Sequence, residues 1–301
     1  MTQAQKASRL LDLHHANSPL VLINAWDAAS AAMVEHCGLP AVATSSAALA
    51  NALGFADGQY LPWPQMLETV ERICRAVKVP VTADIEAGFA PDLKGLETSI
   101  TQIIAAGAVG VNLEDALPAG HSPDGADAQN AGPQNPNLRH GSPLYPLAEQ
   151  VERIQAVRRA AQARGIHLVI NARTDAYWQS GVQPEEALAG TLERGKAYLA
   201  AGADCIFVPG LRNPGHIQTV VDALRSFDPK AAVNILAGPG VPSIPELAKL
   251  GVKRVSYGSG PHRAAMGLLR RMADEAKTSG TYTALTEGAV PYEEINGLMG
   301  K

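Results

Sequence analysis

Eight times along its length this chain passes from a short apolar, β-rich run into a helical pattern, and this alternation limits the fold more than any other feature. The runs lie at 20–25, 41–46, 79–86, 110–115, 167–175, 205–210, 231–237 and 254–260. Helical patterns follow near 27–37, 63–77, 92–106, 145–164, 184–201, 213–226, 243–250 and 261–278. Several helix-to-strand joints share one wording: Cys37-Gly38-Leu39-Pro40, Ala106-Gly107-Ala108-Val109, Ala201-Gly202-Ala203-Asp204 and Leu250-Gly251-Val252-Lys253. A glycine just past a helix is the expected C-cap, and a buried strand follows each one. Eight such units predict an α/β fold of the (β/α)₈ TIM-barrel type. The alternative, an open doubly wound sheet, usually has fewer strands, and no GxGxxG follows the first strand here. We expect one barrel domain over 1–278, opened by an amphipathic helix at 3–15 and followed by a tail, 279–301.

With 301 residues, 46% of them hydrophobic and 18% charged, the chain can bury a core of that size. A net charge of -4 and the lack of a basic stripe argue against nucleic-acid partners. No apolar run is long enough to span a bilayer, and residues 1–15 lack the apolar core of a signal peptide. Cys37, Cys74 and Cys205 form no CxxC pair and read as buried reduced thiols. A cytoplasmic enzyme with a small-molecule substrate fits these bounds.

Polar residues gather where the apolar runs end: Asn24, Ser45 and Ser46, Asp84 and Glu86, Glu114 and Asp115, Arg173 and Asp175, Asn234 and Ser259. Barrel enzymes keep their chemistry on that rim. Asp84 and Glu86 are two positions apart, so in a strand both would face one way. Two like charges at one strand tip call for a positive group between them, and a hard divalent cation suits carboxylate oxygen. An N-cap acid beside a solvated neighbour is the plainer alternative. Residues 116–143, rich in Gly, Pro, Asn and Asp, exceed an ordinary βα loop and predict a lid or a passive insertion. Gly238-Pro239-Gly240 lacks the P-loop lysine and serine and reads as a tight turn.

Asp84-Ile85-Glu86-Ala87-Gly88-Phe89 and Asn112-Leu113-Glu114-Asp115 on two strand tips resemble the isocitrate lyase and phosphoenolpyruvate mutase superfamily. Asn24-Ala25-Trp26-Asp27-Ala28-Ala29-Ser30-Ala31, Ser45-Ser46-Ala47 with Asp57 beyond, and Asn171-Ala172-Arg173-Thr174-Asp175 extend the resemblance, which covers about residues 8 to 278. It implies a phosphoenolpyruvate-binding type of barrel whose eighth helix can be exchanged with a partner, in a homo-oligomer, a dimer of dimers. It also implies a Mg²⁺-dependent enzyme, with Mn²⁺ as an alternative, that works through the enolate of a 2-oxo acid. By resemblance Asp84 would bind the metal, and Asp57, Glu86 and Glu114 would hold its waters. Ser45, Ser46 and Ala47 would hold substrate oxygen, the last two through backbone N–H groups. Arg173 would clamp an anionic group, Asn234 would position a second carboxylate, and Trp26 would form a wall.

Two departures separate the chain from the family pattern. Glu86 and Ala87 stand where the second Asp and the Thr of Asp-x-Asp-Thr-Gly are usual, and no cysteine lies between Cys74 and Cys205 to serve as the lyase lid thiol. His121 is the candidate lid acid or base in its place. The expected activity is carbon–carbon cleavage, or its reverse, on a small 2-hydroxy or 2-oxo dicarboxylate, including decarboxylation of the oxaloacetate type. The alternatives are carbon–phosphorus chemistry and a non-catalytic 2-oxo-acid binder.

Overall fold

The computed structural model describes residues 1–118 and 143–299. Its strands are β1 (Leu20–Leu22), β2 (Asn24–Ala25), β3 (Val42–Thr44), β4 (Val81–Asp84), β5 (Gly110–Glu114), β6 (Val169–Arg173), β7 (Cys205–Phe207), β8 (Ala232–Leu236) and β9 (Arg254–Ser256). Every pairing among these strands is parallel. β1 pairs with β9 and β2 with β3, so the single stretch 20–25, interrupted at Ile23, closes the ring. The barrel therefore has the eight expected staves, the first of them broken.

The helices are α1 (Gln3–His14), α2 (Ala28–His36), α3 (Ser46–Ala52), α4 (Trp63–Ala76), α5 (Leu93–Ala105), α6 (Leu147–Ala163), α7 (Pro184–Ala200), α8 (Pro214–Phe227), α9 (Ile244–Lys249), α10 (Gly260–Thr278), α11 (Thr283–Thr286) and α12 (Tyr292–Met299). The repeated joints behave as their wording predicts: Gly38, Gly107, Gly202 and Gly251 all take positive φ, from +82° to +106°, and turn the chain out of a helix. The layer between barrel and helices is apolar; Val111, Ile170 and Val233 from the strands and Ile103, Val157 and Val220 from the helices are all buried in it. Strands covered on both sides read as continuous apolar runs.

Helix α1 closes the N-terminal end of the barrel. Its Leu10 is fully buried against Leu20, Leu22, Val109 and Val169. A Cβ on Gly110 would stand 2.8 Å from Leu10 Cδ2 and 2.9 Å from Thr82 Oγ1, so this strand start must be glycine for Leu10 to enter. At the other end of the chain, α10 buries only His262, and α12 folds back onto α2, with His36 Nε2 3.6 Å from Glu294 Oε1. Cys205 is buried, but Cys37 is exposed just past α2, because the helix ends there and turns its last residue outward. Among the described residues no helix is long and apolar enough to cross a membrane.

Candidate active site

A cavity of about 400 Å³ opens at the C-terminal ends of the strands. Asp57, Asp84, Arg173 and Arg263 bring charge to it, and Asn24, Asn112 and several serines bring neutral polar groups. Trp178, Phe207 and Leu236 supply apolar wall. A larger hollow of about 830 Å³ lies at the opposite end, beside α1. The smaller one is where barrel chemistry is found, and Asn24, Ser45, Asp84, Asn112 and Arg173 from the strand ends line it.

Asp84, the last residue of β4, is held rigidly. Its N–H donates to Thr44 Oγ1 at 2.9 Å. Its Oδ2 accepts from the Ser46 N–H at 3.0 Å and the Ser46 hydroxyl at 2.8 Å. These two donors occupy one carboxylate oxygen and leave Oδ1, which accepts no hydrogen bond among the described residues. Ser46 thus serves Asp84 here, whereas its N–H was expected to face a ligand. Ser45 lines the cavity and caps α3, its Oγ accepting from the Ala48 N–H at 3.3 Å. Ala47 lines the cavity too, and its N–H meets no acceptor among the described residues.

Glu86 does not share a strand face with Asp84. The strand stops at Asp84, and Glu86 turns with φ +50°, only 1% exposed. Its carbonyl accepts the Glu114 N–H at 2.9 Å. The period-two argument therefore does not reach it, and it is not among the residues lining the cavity. Phe89 and Gln59 also have positive φ, +52° and +63°, and the Gln59 Oε1 accepts the Phe89 N–H at 2.7 Å. Left-handed non-glycine residues cost energy and persist only when surroundings hold them, and they cluster at functional sites. Here the bond ties the loop of Asp57 to the loop after β4.

Arg173 is 6% exposed and doubly paired. Its Nε and Nη2 donate to the two oxygens of Asp175 at 2.6 and 2.8 Å, and its Nη1 lies 2.7 Å from Glu114 Oε2. Burial works against its charge, but Asp175 and Glu114 outweigh burial and hold its pKa well above the usual value. The fork packs over Trp178, 4.8 Å from the ring centroid. Asp115 points the other way. Its Oδ2 accepts from Tyr198 at 2.7 Å and Arg194 at 3.2 Å, and its Oδ1 accepts the Asp175 N–H. Adjacent strand residues face opposite sides, so Glu114 turns toward Arg173 and Asp115 toward α7.

Below the cavity lies a cation that the sequence reading missed. Arg254, on β9, has no exposed surface. Its Nη2 donates to Asn112 Oδ1 at 3.0 Å, and its Nη1 lies 3.4 Å from His14 Nε2. Burial lowers Arg254 to about 10, so it stays charged at neutral pH. Burial, followed by the charge of Arg254, lowers His14 to about 3. The neutral ring donates from Nδ1 to the Leu10 carbonyl at 2.7 Å, which presents the Nε2 lone pair to the arginine.

Other expected site residues land elsewhere. Asn234 is fully buried and exchanges hydrogen bonds with Ser256, so Ser256 and Leu236 line the cavity instead. Trp26 stacks edge-on against His262 at 5.3 Å, outside the cavity lining, because the Asp27 cap turns the chain into α2. Asn24 lines the cavity but is committed: it donates to the Thr44 carbonyl and accepts from the Tyr257 and Gly258 N–H groups. The stems of the 116–143 insertion are joined by a bridge between Ala116 and Leu144, and His121 lies outside the described residues. Arg263, in the first turn of α10, was also missed; nothing in its local pattern marks it as a rim residue.

The phosphoenolpyruvate phosphomutase family profile matches residues 10–277. The chain therefore belongs to the phosphoenolpyruvate mutase/isocitrate lyase superfamily, a group of carbon–carbon lyases and mutases. A 2-methylisocitrate lyase of Shewanella oneidensis is 32% identical over 83% of this chain and 78% of its own length. The crystal structure of a Burkholderia cenocepacia protein with the provisional name lyase/mutase is 33% identical, with a TM-score of 0.83 over 99% of this chain and 97% of that one. A phosphonopyruvate hydrolase, solved with oxalate and Mg²⁺, shares the fold at 24% identity and a TM-score of 0.76, over 98% of this chain and 95% of that one.

Proposed function

We propose that this protein is a Mg²⁺-dependent lyase, able to use Mn²⁺, that breaks or forms a carbon–carbon bond in a small 2-hydroxy or 2-oxo dicarboxylate and releases a 2-oxo acid. The observation that carries this reading is Asp84: Ser46 takes one oxygen and leaves the other at the cavity.

The donor set fits a hard cation. Its lining acids are Asp57 and Asp84, both oxygen donors. Among the described residues no group of three or more His, Cys, Asp or Glu side chains could hold an ion directly. Few protein ligands and several retained waters suit Mg²⁺. Asp84 would be the direct ligand, with Asp57, Glu86 and Glu114 on its waters. When bound, the ion supplies Lewis-acid stabilisation for negative charge on the 2-oxo oxygen.

The chain's own groups would do the rest. Arg173 has five N–H donors: Asp175 accepts from two, and the ion pair with Glu114 holds a third N–H close to Oε2. The remaining two can hold one substrate carboxylate, in an orientation the two acids fix. The Ala47 N–H can donate to a second oxygen. Trp178, Phe207 and Leu236 exclude water on one side, which strengthens these polar contacts. In a 2-oxo dicarboxylate, loss of carbon dioxide leaves the electron pair of the broken bond on the carbon next to the 2-oxo group, and protonation of that carbon gives the released 2-oxo acid. In a 2-hydroxy dicarboxylate, a base takes the hydroxyl proton, the C–O bond becomes the 2-oxo group of the released acid, and the electron pair passes to the carbon of the other fragment, which takes up a proton.

Carbon–phosphorus chemistry is the second reading, supported by the family profile and by the two arginines at the cavity. A panel of 2-hydroxy and 2-oxo dicarboxylates, with phosphonopyruvate included, separates the readings. We expect Mg²⁺-dependent release of pyruvate, glyoxylate or a related 2-oxo acid from a dicarboxylate. Phosphate release from phosphonopyruvate alone would replace the first reading with the second, and ligand binding without any product would leave a binding protein.

A further inference from the structure

The amide of Asn112 is held so that only one end can face a ligand. Asn112 lies on β5 and lines the cavity. Its Oδ1 accepts from Asn171 Nδ2 at 2.7 Å and from Arg254 Nη2 at 3.0 Å. Which end of an asparagine amide is oxygen must be judged from its partners. Here the judgement is forced, because a guanidinium can only donate. The oxygen faces Arg254, and Nδ2, with two hydrogens, is left for the cavity. It donates to none of the described residues.

The surrounding charges give that donor a purpose. Arg254 is fully buried and forms no ion pair with a carboxylate among the described residues; its contacts are Asn112 and neutral His14. An unpaired buried charge is costly. The floor of the cavity is thus electropositive, whereas Asp84 and Asp57 make its wall acidic. An anionic ligand would set a carboxylate on the floor and leave the wall to a cation.

We infer that Asn112 is a substrate-binding residue whose Nδ2 donates to a carboxylate oxygen of the ligand, and that Arg254 is the positioning residue that keeps the Asn112 oxygen turned down. The inference rests on the carboxylate-binding reading of the same cavity, and it names the polar contact at the cavity floor.

The test uses the full chain, Mg²⁺ and oxalate as the probe, with calorimetric Kd and Tm as readouts. Asn112→Asp is nearly isosteric: one oxygen still accepts from Asn171 and Arg254, while the other turns an acceptor with negative charge toward the ligand. It should raise the Kd for oxalate at least about tenfold, with Tm unchanged or higher. Asn112→Ala should weaken oxalate about fivefold or more by losing the donor alone. Arg254→Lys, which can still only donate, should stay within about threefold of the parent. Arg254→Gln, which lets the Asn112 amide turn over, should weaken oxalate about tenfold at unchanged Mg²⁺ affinity. Parent-like oxalate affinity in Asn112→Asp or Asn112→Ala overturns the inference about Asn112. Equal losses of oxalate and Mg²⁺ affinity in Arg254→Gln overturn its positioning role. A parent protein that binds no oxalate overturns the carboxylate reading of the cavity as well, so the two failures are distinct.

Discussion

Glu114 and Arg173 are register partners on β5 and β6, and their side chains meet again beyond the backbone pairing, Nη1 to Oε2, at 2.7 Å. Asp175 grips the other edge of the same guanidinium. One cation thus holds two buried carboxylates at the rim. Replacing it by Arg173→Met leaves those acids facing each other without a counter-charge. Removing one partner of a buried ionic group typically costs about 3–5 kcal/mol. We expect the urea midpoint of Arg173→Met to fall accordingly, and Arg173→Lys to recover part of the stability but not the planar two-point grip. A midpoint equal to the parent's would mean that the triad contributes nothing to holding the rim together.

Asp84→Ala should abolish turnover and Mg²⁺ binding together, because it removes the oxygen that Ser46 leaves at the cavity. Glu86→Asp should keep most activity. Its backbone has φ +50°, a region aspartate tolerates better than most residues, and a water-mediated role survives loss of one methylene. Calorimetric Mg²⁺ titration of both variants checks this. Retained Mg²⁺ affinity in Asp84→Ala would rule out the direct-ligand role.

His14 gives the fold an acid-sensitive point. Its pKa is about 3 when folded and 6.5 as an ordinary histidine. The unfolded chain therefore binds the proton first as pH falls, and the His14 contribution to stability, complete above 6.5, is lost progressively toward 3. The loss approaches about 1.4 kcal/mol for each pH unit within that window. Urea unfolding at about pH 7.5 and about pH 4.5 should show a steeper decline in the parent than in His14→Gln. Parallel pH profiles would mean that His14 does not stay neutral in the barrel.

How much of this was legible in the sequence depended on whether a local rule applied. The glycine joints followed backbone geometry, and Gly38, Gly107, Gly202 and Gly251 all turn as expected. They carried the barrel with them. Asp84 was legible because it ends an apolar run; Glu86 was misplaced because the strand ends two residues earlier and the alternation ends with it. Asn234 was expected at the ligand, but it lies two residues before the end of β8 at Leu236 and, below the cavity lining, is hydrogen-bonded to Ser256. Arg254 was hidden for a different reason. Its partners are 142 and 240 residues away in the chain, and an arginine at a strand start gives no sign of which side it faces. The short helix α3, which Ser45 caps, has no counterpart in the expected elements; only its first residue, Ser46, falls within the expected strand at 41–46.

Helix α10 points to self-association. It buries only His262, and its Met266 and Leu269 are 46% and 56% exposed. Exposed apolar surface on one long helix is what a partner would cover. We expect light scattering at micromolar concentration to give a multiple of the 31.5 kDa chain mass, a dimer or a dimer of dimers. Met266→Lys with Leu269→Lys should shift it toward the monomer. A monomer in the parent would contradict this assignment.

On the proposed function, a divalent cation held at Asp84 is required for carbon–carbon cleavage. The most direct measurement is the initial rate of 2-oxo acid release from the best dicarboxylate of the panel, taken with Mg²⁺, after excess chelator, and after Mg²⁺ or Mn²⁺ is restored. The rate should fall to background in chelator and return with either ion; a full rate persisting in excess chelator would contradict the metal requirement.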